Sequence, residues 1–152
     1  MAQCATRAAR ILVVQDDALS AGLIREVLES EGHEVVLASD GAAALARLER
    51  DGGSAGECSP DLILLDLLMP IMDGWSFARA NSQLPGVRAP IVLVSAVPDL
   101  AAHAEELSAR AFVPKPFDID SFCAVVARLL TPARLSGESY SLMRGPMSAT
   151  GE

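Results

Sequence analysis

Short, largely apolar segments recur along the chain, and stretches with helical periodicity separate them. The apolar segments predict strands at 11–14, 35–38, 61–65, 91–94 and 112–113. Strands with an unbroken apolar run are typical of a sheet that is buried on both faces. Because a helix between two strands returns the chain to the same starting edge, the alternation predicts a parallel sheet covered by helices on both sides.

Five helices are expected between and after these strands, at 19–31, 41–50, 75–82, 100–109 and from 118 to the Thr131-Pro132 step. The first helix is expected to bury one apolar stripe, which consists of Leu19, Leu23, Ile24, Val27 and Leu28. Gly32 is placed to end that helix, and candidate N-caps for later helices are Asp40, Asp99 and Asp118. Five strand–helix units predict a flavodoxin-like, doubly wound α/β fold with strand order 2-1-3-4-5.

Length, charge and cysteine content narrow the class of protein. The chain has 152 residues, which suits one domain with a sizeable core. The net charge of −8 argues against nonspecific nucleic-acid binding, which needs a basic face. No apolar stretch approaches the ~20 residues that span a bilayer, so a cytoplasmic location without membrane contact is expected. Cys4, Cys58 and Cys123 fit reduced thiols, because they are too widely spaced for a metal knuckle.

The periodic pattern is confined to the middle of the chain. Residues 10–131 are predicted to form the folded domain, after an N-terminal extension at 1–9. Residues 132–152 are rich in Ser, Gly, Met and Pro with few apolar anchors, so a flexible tail is expected there. That tail is neither basic nor periodic and is too short for a DNA-binding module, so no output domain is expected.

Polar and charged residues follow four of the predicted strands. Asp66 ends one strand, Asp16 and Asp17 follow another, Ser95 ends a third, and Lys115 follows a fourth. The carboxyl ends of parallel strands lie at one edge of the sheet, where open α/β proteins bind their ligands. A carboxylate at the tip of a buried strand is costly unless it is solvated, paired or bound to a metal. Carboxylates, a hydroxyl and an amine together predict a metal-assisted phosphoryl site.

Four segments carry a family resemblance: ILVVQDD at 11–17, PDLILLD at 60–66 with MPIMDG at 69–74, VSA at 94–96, and FVPKPF at 112–117. Each segment is weak alone, but four in this order and at these intervals are specific. On them the chain resembles the receiver domain of two-component response regulators, over about residues 10–131. The resemblance implies a single-domain response regulator: a phosphorylation-dependent switch rather than an enzyme, with at most slow self-dephosphorylation.

The resemblance also implies a role for the acidic residues. Asp66 would accept a phosphoryl group from a histidine kinase or a histidine phosphotransfer protein, as a nucleophile that forms an acyl phosphate. Asp16, Asp66 and the backbone carbonyl of Leu68 would bind Mg²⁺ or Mn²⁺, which prefer oxygen ligands. The metal would neutralise charge that builds on the phosphoryl oxygens.

The remaining site residues would respond to phosphorylation. Lys115 would pair with the phosphoryl group, and a cis bond before Pro116 would aim it inward. Ser95 would donate to a phosphoryl oxygen, and Phe112 would turn inward with it as a switch. The signal would pass to a downstream protein effector through helix four, strand five and helix five, and the same surface would carry homodimerisation.

One position departs from the family pattern. The family has two consecutive acids after strand one, and here the first of them is the neutral Gln15, followed by Asp16. Losing one negative charge is expected to weaken cation binding. In an alternative register the acidic pair is Asp16 with Asp17, although the apolar run ends at Val14 and favours the first register.

Two other functions compete with the phosphorylated switch. A degenerate receiver would act as a phosphorylation-independent protein-binding module, and Gln15 is the sequence feature that supports it. An aspartyl-phosphate phosphohydrolase would place a second Asp two residues after the first, where this chain has Leu68. A Mg²⁺ titration separates the phosphorylated switch from the degenerate receiver.

Overall fold

The computed structural model describes residues 9–52, 60–84 and 89–130. Its sheet has five parallel strands in the order β2-β1-β3-β4-β5, which confirms the predicted topology. The strands are β1 Arg10–Val14, β2 Glu34–Ala38, β3 Leu62–Leu65, β4 Ile91–Ser95 and β5 Ala111–Pro114. The central strand β3 is buried along its whole length, which explains its unbroken apolar sequence.

Five helices connect or follow these strands: α1 Ala18–Ser30, α2 Gly41–Gly52, α3 Gly74–Asn81, α4 Leu100–Glu106 and α5 Ile119–Leu129. No helix in the described ranges combines the length and the hydropathy that spanning a bilayer requires. The predicted N-terminal extension lies outside these ranges apart from Ala9, and so do the predicted tail at 132–152 and most of the loop predicted at 51–59.

Helices cover both faces of the sheet, as the sequence predicts. On one face, α1 and α5 pack Ile24, Leu28 and Phe122 against Ile11 and Val13 of β1. The other face packs against α2, α3 and α4, whose buried residues include Ala44, Leu48, Phe77, Leu100 and Ala104. Successive residues of a strand point to opposite faces, so each central strand contributes to both cores.

The apolar stripe predicted for α1 is wrong in part. Ala21, Ile24 and Leu28 form the buried face, whereas Leu19 is 85% exposed and Leu23 is 46% exposed. At 100° per residue, Leu19 lies about 140° around the helix from Ile24, too far to share one buried face. Leu19 instead lies exposed in the first turn of the helix.

Helix α4 is shorter and less regularly capped than the sequence predicts. It ends at Glu106 rather than at 109, and Ser108 just beyond it has a left-handed φ of 59°. Asp99 precedes the helix, but it has φ 58° and its side chain makes no capping hydrogen bond. Asp40 and Asp118 do cap their helices: Asp40 accepts from the Ala43 N–H at 2.8 Å, and Asp118 caps α5.

Of the three cysteines, Cys123 alone lies in the described part of the chain. It is half-buried on α5 and forms no disulfide. Burial, with smaller contributions from Glu31 and Asp120, raises the pKa of its thiol. A protonated thiol packed in this way acts as a small apolar residue.

Candidate functional site

The parallel register brings four strand ends to one edge of the sheet. Val14 pairs with Leu65, and Ser95 pairs with Pro114. The residues that follow β1, β3 and β5 therefore lie beside the last residue of β4. This edge holds the site, and its central member is Asp66.

Asp66 is 7% exposed and each of its carboxylate oxygens has a hydrogen-bond donor. Oδ1 accepts from the Ser95 hydroxyl at 2.8 Å and from the Leu68 backbone N–H at 3.2 Å. Oδ2 accepts from the Lys115 ammonium at 3.0 Å. The three donors fix the direction of this buried carboxylate, as a nucleophile requires.

Lys115 is the only lysine in the chain, and it serves this site. Its backbone N–H donates to the Ser95 carbonyl at 2.9 Å, and the bond to Pro116 is cis, as the resemblance implies. Besides Asp66 Oδ2, the ammonium donates to Gln15 Oε1 at 2.9 Å. Lys115 therefore joins the end of β5 to residues at the ends of β3 and β1.

Gln15 is a third buried polar residue of the site, with Asp66 and Ser95. It is 4% exposed, and its backbone N–H donates to the Ala38 carbonyl of β2 at 3.0 Å. The sequence singles out Gln15 as a missing charge but gives no sign that its side chain contacts Lys115, which is 100 positions away. The acceptor that Gln15 offers to the lysine is therefore a neutral amide oxygen.

Asp16 and Asp17 differ in their surroundings. Both side chains are exposed. Asp17 caps α1: its Oδ1 accepts from the Leu19 N–H at 3.3 Å and its Oδ2 from the Ser20 hydroxyl at 2.7 Å. The hydrogen bond from the Ser20 side chain is the main cause that lowers the pKa of the Asp17 carboxyl. These bonds direct Asp17 toward the helix and leave Asp16 as the acid that adjoins Gln15.

The loop after β3 packs against the backbone of Asp66 and Leu67. Asp73 caps α3 by accepting from the Ser76 N–H at 2.8 Å, and Gly74 donates its N–H to the Leu67 carbonyl at 3.0 Å. A Cβ on Gly74 would lie against the carbonyl oxygen of Asp66 and 2.7 Å from the Cα of Leu67. This close approach explains a glycine at 74 and fixes where α3 begins relative to Asp66.

The donor set suits a hard cation that keeps most of its water. Within the described ranges no three His, Cys, Asp or Glu side chains are grouped as a metal cluster. Mg²⁺ is usually bound by one or two carboxylates together with waters and phosphate oxygens. The expected donors, which are the carboxylates of Asp16 and Asp66 and the backbone carbonyl of Leu68, are of this kind. The oxygen donors present at this edge are therefore consistent with Mg²⁺ and poorly suited to a thiolate- or imidazole-binding metal.

Comparison with known proteins gives the family. The family model for the response regulator receiver domain matches residues 11–127. The chain belongs to the response regulator receiver domain family. Phe112, the expected switch residue, is half-buried on β5 of this receiver domain and packs against the core that contains α4.

Relatives of this receiver domain are response regulators. It is 34% identical to the alkaline phosphatase synthesis transcriptional regulatory protein SphR of Synechococcus elongatus, over 91% of this chain and 58% of SphR. It is 39% identical to the response regulator PleD of Caulobacter vibrioides, over 72% of this chain and 23% of PleD. The chain thus spans little more than half of SphR and about a quarter of PleD.

Solved structures agree with the fold. The response regulator protein TrrA of Thermotoga maritima, in complex with Mg²⁺ and BeF, superimposes with a TM-score of 0.69 at 30% identity. That match covers 80% of this chain and 99% of TrrA. Receiver domains are signalling modules of two-component systems rather than classical enzymes.

Proposed function

We propose that this receiver domain is a switch driven by phosphorylation of Asp66. The observation that carries the proposal is the pair of contacts on that carboxylate, Lys115 on Oδ2 and Ser95 on Oδ1. A cation and a hydroxyl beside a buried carboxylate supply the charge and the donor that a phosphoryl group attached there would need. Both groups come from strand ends and are therefore held by the sheet rather than by mobile segments.

In the proposed reaction an Asp66 oxygen bonds to phosphorus while the bond from phosphorus to the donor's imidazole nitrogen breaks. The electron pair of the broken bond stays on that nitrogen. Lys115 keeps its positive charge beside the incoming phosphoryl oxygens, and Ser95 exchanges its carboxylate acceptor for one of them. Asp16, Asp66 and the Leu68 carbonyl would hold a Mg²⁺ or Mn²⁺ ion, which when bound neutralises phosphoryl charge.

Ser95 links the site to the proposed output surface. It ends β4, and only residues 96–99 separate it from α4. A movement of Ser95 toward a phosphoryl oxygen would shift residues 96–99, which connect it to α4. Phe112 on the neighbouring strand β5 would then turn inward to fill the space. The signal would then leave through α4, β5 and α5 to a downstream protein, or to a second copy of the chain as a homodimer.

The proposed donor is a histidine kinase or a histidine phosphotransfer protein. The family is one of two-component signalling, and relatives such as SphR are transcriptional regulators longer than this chain. We propose a cytoplasmic location and contacts with proteins rather than with nucleic acid or membrane, because the net charge of −8 opposes binding to either polyanionic surface.

Phosphorylation by acetyl phosphate in the presence of Mg²⁺, measured by intact mass, tests the proposal. The wild type should gain one phosphate that hydroxylamine removes, as expected for an acyl phosphate, and Asp66→Asn should gain none. Asp61→Asn is the matched control, because Asp61 precedes the same strand at its opposite end. A phosphate that resists hydroxylamine, or one that persists in Asp66→Asn, would contradict the assignment.

A phosphorylation-independent binding module is the second candidate. It is favoured by one observation: Gln15 fills the place of an acid with a neutral amide that binds Lys115. In that case the wild type would fail to gain phosphate at any Mg²⁺ concentration, while Gln15→Asp would gain it. Phosphorylation of the wild type excludes this alternative.

A further inference from the structure

Gln15 and Lys115 meet across the sheet. In the strand order, β1 and β5 are separated by β3 and β4, so neither residue is a neighbour of the other in the backbone. The two long side chains span this distance and meet beside Asp66. Lys115 Nζ lies 2.9 Å from Gln15 Oε1 and 3.0 Å from Asp66 Oδ2. A shorter side chain at position 15 would not reach as far.

The two acceptors of the ammonium differ in charge. Asp66 Oδ2 is a carboxylate oxygen, and a hydrogen bond between two charged groups is roughly twice as strong as one to a neutral acceptor. Gln15 Oε1 is neutral and nearly buried, so its bond to Lys115 adds direction without adding charge. With a carboxylate at both places, the lysine would be held by two charges and would move less readily to a new anion.

We propose that Gln15 is a positioning residue that anchors Lys115 during phosphoryl transfer, rather than a metal ligand. The anchor holds the ammonium at the site while Lys115 exchanges Asp66 Oδ2 for a phosphoryl oxygen. Because the anchor is neutral, it does not compete with the phosphoryl group for the positive charge. This inference rests on the proposed function of Asp66, and its test is arranged so that the two can fail separately.

Three substitutions separate reach, hydrogen bonding and charge at position 15. Gln15→Met keeps the length and removes the acceptor, Gln15→Glu keeps the length and adds a charge, and Gln15→Asn keeps the amide but is one methylene shorter. Met is apolar and similar in volume, so this variant is expected to fold, and a thermal melt checks that it does.

The first measurement is NMR of the lysine ammonium in protein labelled with ¹⁵N at lysine Nζ. Because Lys115 is the only lysine, the spectrum contains one side-chain signal. The signal should be sharp in the wild type and in Gln15→Glu, and broadened by exchange in Gln15→Met and Gln15→Asn. An unchanged signal in Gln15→Met would show that Asp66 alone holds the ammonium, which overturns the anchor.

The second measurement is the rate of Asp66 phosphorylation by acetyl phosphate as a function of Mg²⁺. Gln15→Met should lower the maximal rate by about five-fold, which corresponds to one lost neutral hydrogen bond, and leave the half-saturating Mg²⁺ concentration unchanged. A large rise in that concentration with an unchanged ammonium signal would make Gln15 a metal ligand and overturn the proposal. Absence of phosphate on every variant would refute the proposed function, while the ammonium signal would still decide the anchor.

Discussion

The indole Nε1 of Trp75 on α3 donates a hydrogen bond to Nδ1 of His103 on α4 at 3.1 Å. The two rings meet edge to face, with their centres 5.2 Å apart. Glu106, one turn along α4, lies 3.8 Å from the same imidazole nitrogen and 3.7 Å from the guanidinium of Arg79 on α3. These contacts join α4 to α3, the helix that begins at Gly74 in the loop after Asp66.

Removing the acceptor should break the contact between Trp75 and His103. In His103→Leu no nitrogen is left to accept the indole proton, so the Trp75 Nε1–H loses this partner. Trp75 is the only tryptophan, so its fluorescence emission should differ between His103→Leu and the wild type. His103→Gln keeps an acceptor and is the control. An emission spectrum of His103→Leu identical to that of the wild type would contradict the contact.

Restoring an acid at position 15 should strengthen cation binding. An added unit charge ~4 Å from a cation contributes about 1 kcal/mol or more even in bulk-water dielectric, so Gln15→Asp should tighten Mg²⁺ binding by at least about five-fold. Calorimetry of Mg²⁺ binding measures the change, and Gln15→Asn is the control of equal size without the charge. Equal affinity in Gln15→Asp and the wild type would show that position 15 is not beside the metal.

A methyl group at position 74 should be poorly tolerated. It would meet the Asp66 carbonyl and Leu67, backbone atoms that cannot move aside without displacing the phosphoacceptor. Gly74→Ala is expected to lower the free energy of unfolding by about 2 kcal/mol or more. Gly22→Ala is the matched control, because nothing lies within 4 Å of a Cβ there and the residue is in a helix. It should raise the free energy of unfolding by about 0.5–1 kcal/mol. Urea denaturation of both variants tests the contrast.

Ile71 is a strained residue in the loop beside the site. It has φ 68° and is 84% exposed, and the Met72 N–H donates to the Pro70 carbonyl at 2.6 Å across it. This is the γ-turn with positive φ, which is rare and unfavourable for a β-branched residue. Ile71→Gly should raise the free energy of unfolding by about 1 kcal/mol, since the relieved strain exceeds the added chain entropy.

Ile71→Ala is the control for the strain, because it shortens the side chain but keeps the Cβ that causes the unfavourable contact. Its unfolding midpoint in urea should stay near that of the wild type. If alanine raised the midpoint as much as glycine does, the exposed apolar side chain rather than the backbone would be the source of the effect.

The sequence predicts those features that depend on local pattern. Unbroken apolar runs identify the strands, and the order of the four motifs places Asp66, Ser95 and Lys115 at one edge. The burial of α1 was predicted less well, because a stripe of five apolar residues does not reveal how the helix is rotated. Ala21 is small and weakly apolar, yet it lies on the buried face while Leu19 does not.

The contacts between side chains of distant strands and helices could not be predicted at all. Gln15 binds Lys115 across two intervening strands, and Trp75 on one helix binds His103 on another, 28 positions further along the chain. Neither pair has a motif, since each depends on how separate strands or helices are placed and on the reach of long side chains. The left-handed backbone of Asp99 likewise has no signal in a sequence that favours it as an ordinary N-cap.

The phosphorylated state should be long-lived. Hydrolysis needs a water aligned with phosphorus on the side opposite the Asp66 oxygen. Leu68 lies two residues after Asp66, and Val97 lies two residues after Ser95. The Leu68 side chain is 57% exposed at the edge of the sheet that holds the site. Neither side chain can hold a water by hydrogen bonding, and lost positioning of a reactant can cost a factor of ~100 in rate. Slow loss of phosphate is therefore expected, measured by intact mass after the donor is removed.

Adding polar groups at the two positions should shorten that lifetime. The double variant Leu68→Asn with Val97→Glu supplies groups that bind and orient a water, so it should lose phosphate faster than the wild type. A second double variant, Leu68→Ala with Val97→Ala, removes bulk without adding polar groups and separates crowding from positioning. If the alanine pair is as fast as the polar pair, crowding by Leu68 and Val97 sets the lifetime. A wild type as fast as the polar pair would show that these side chains do not protect the acyl phosphate.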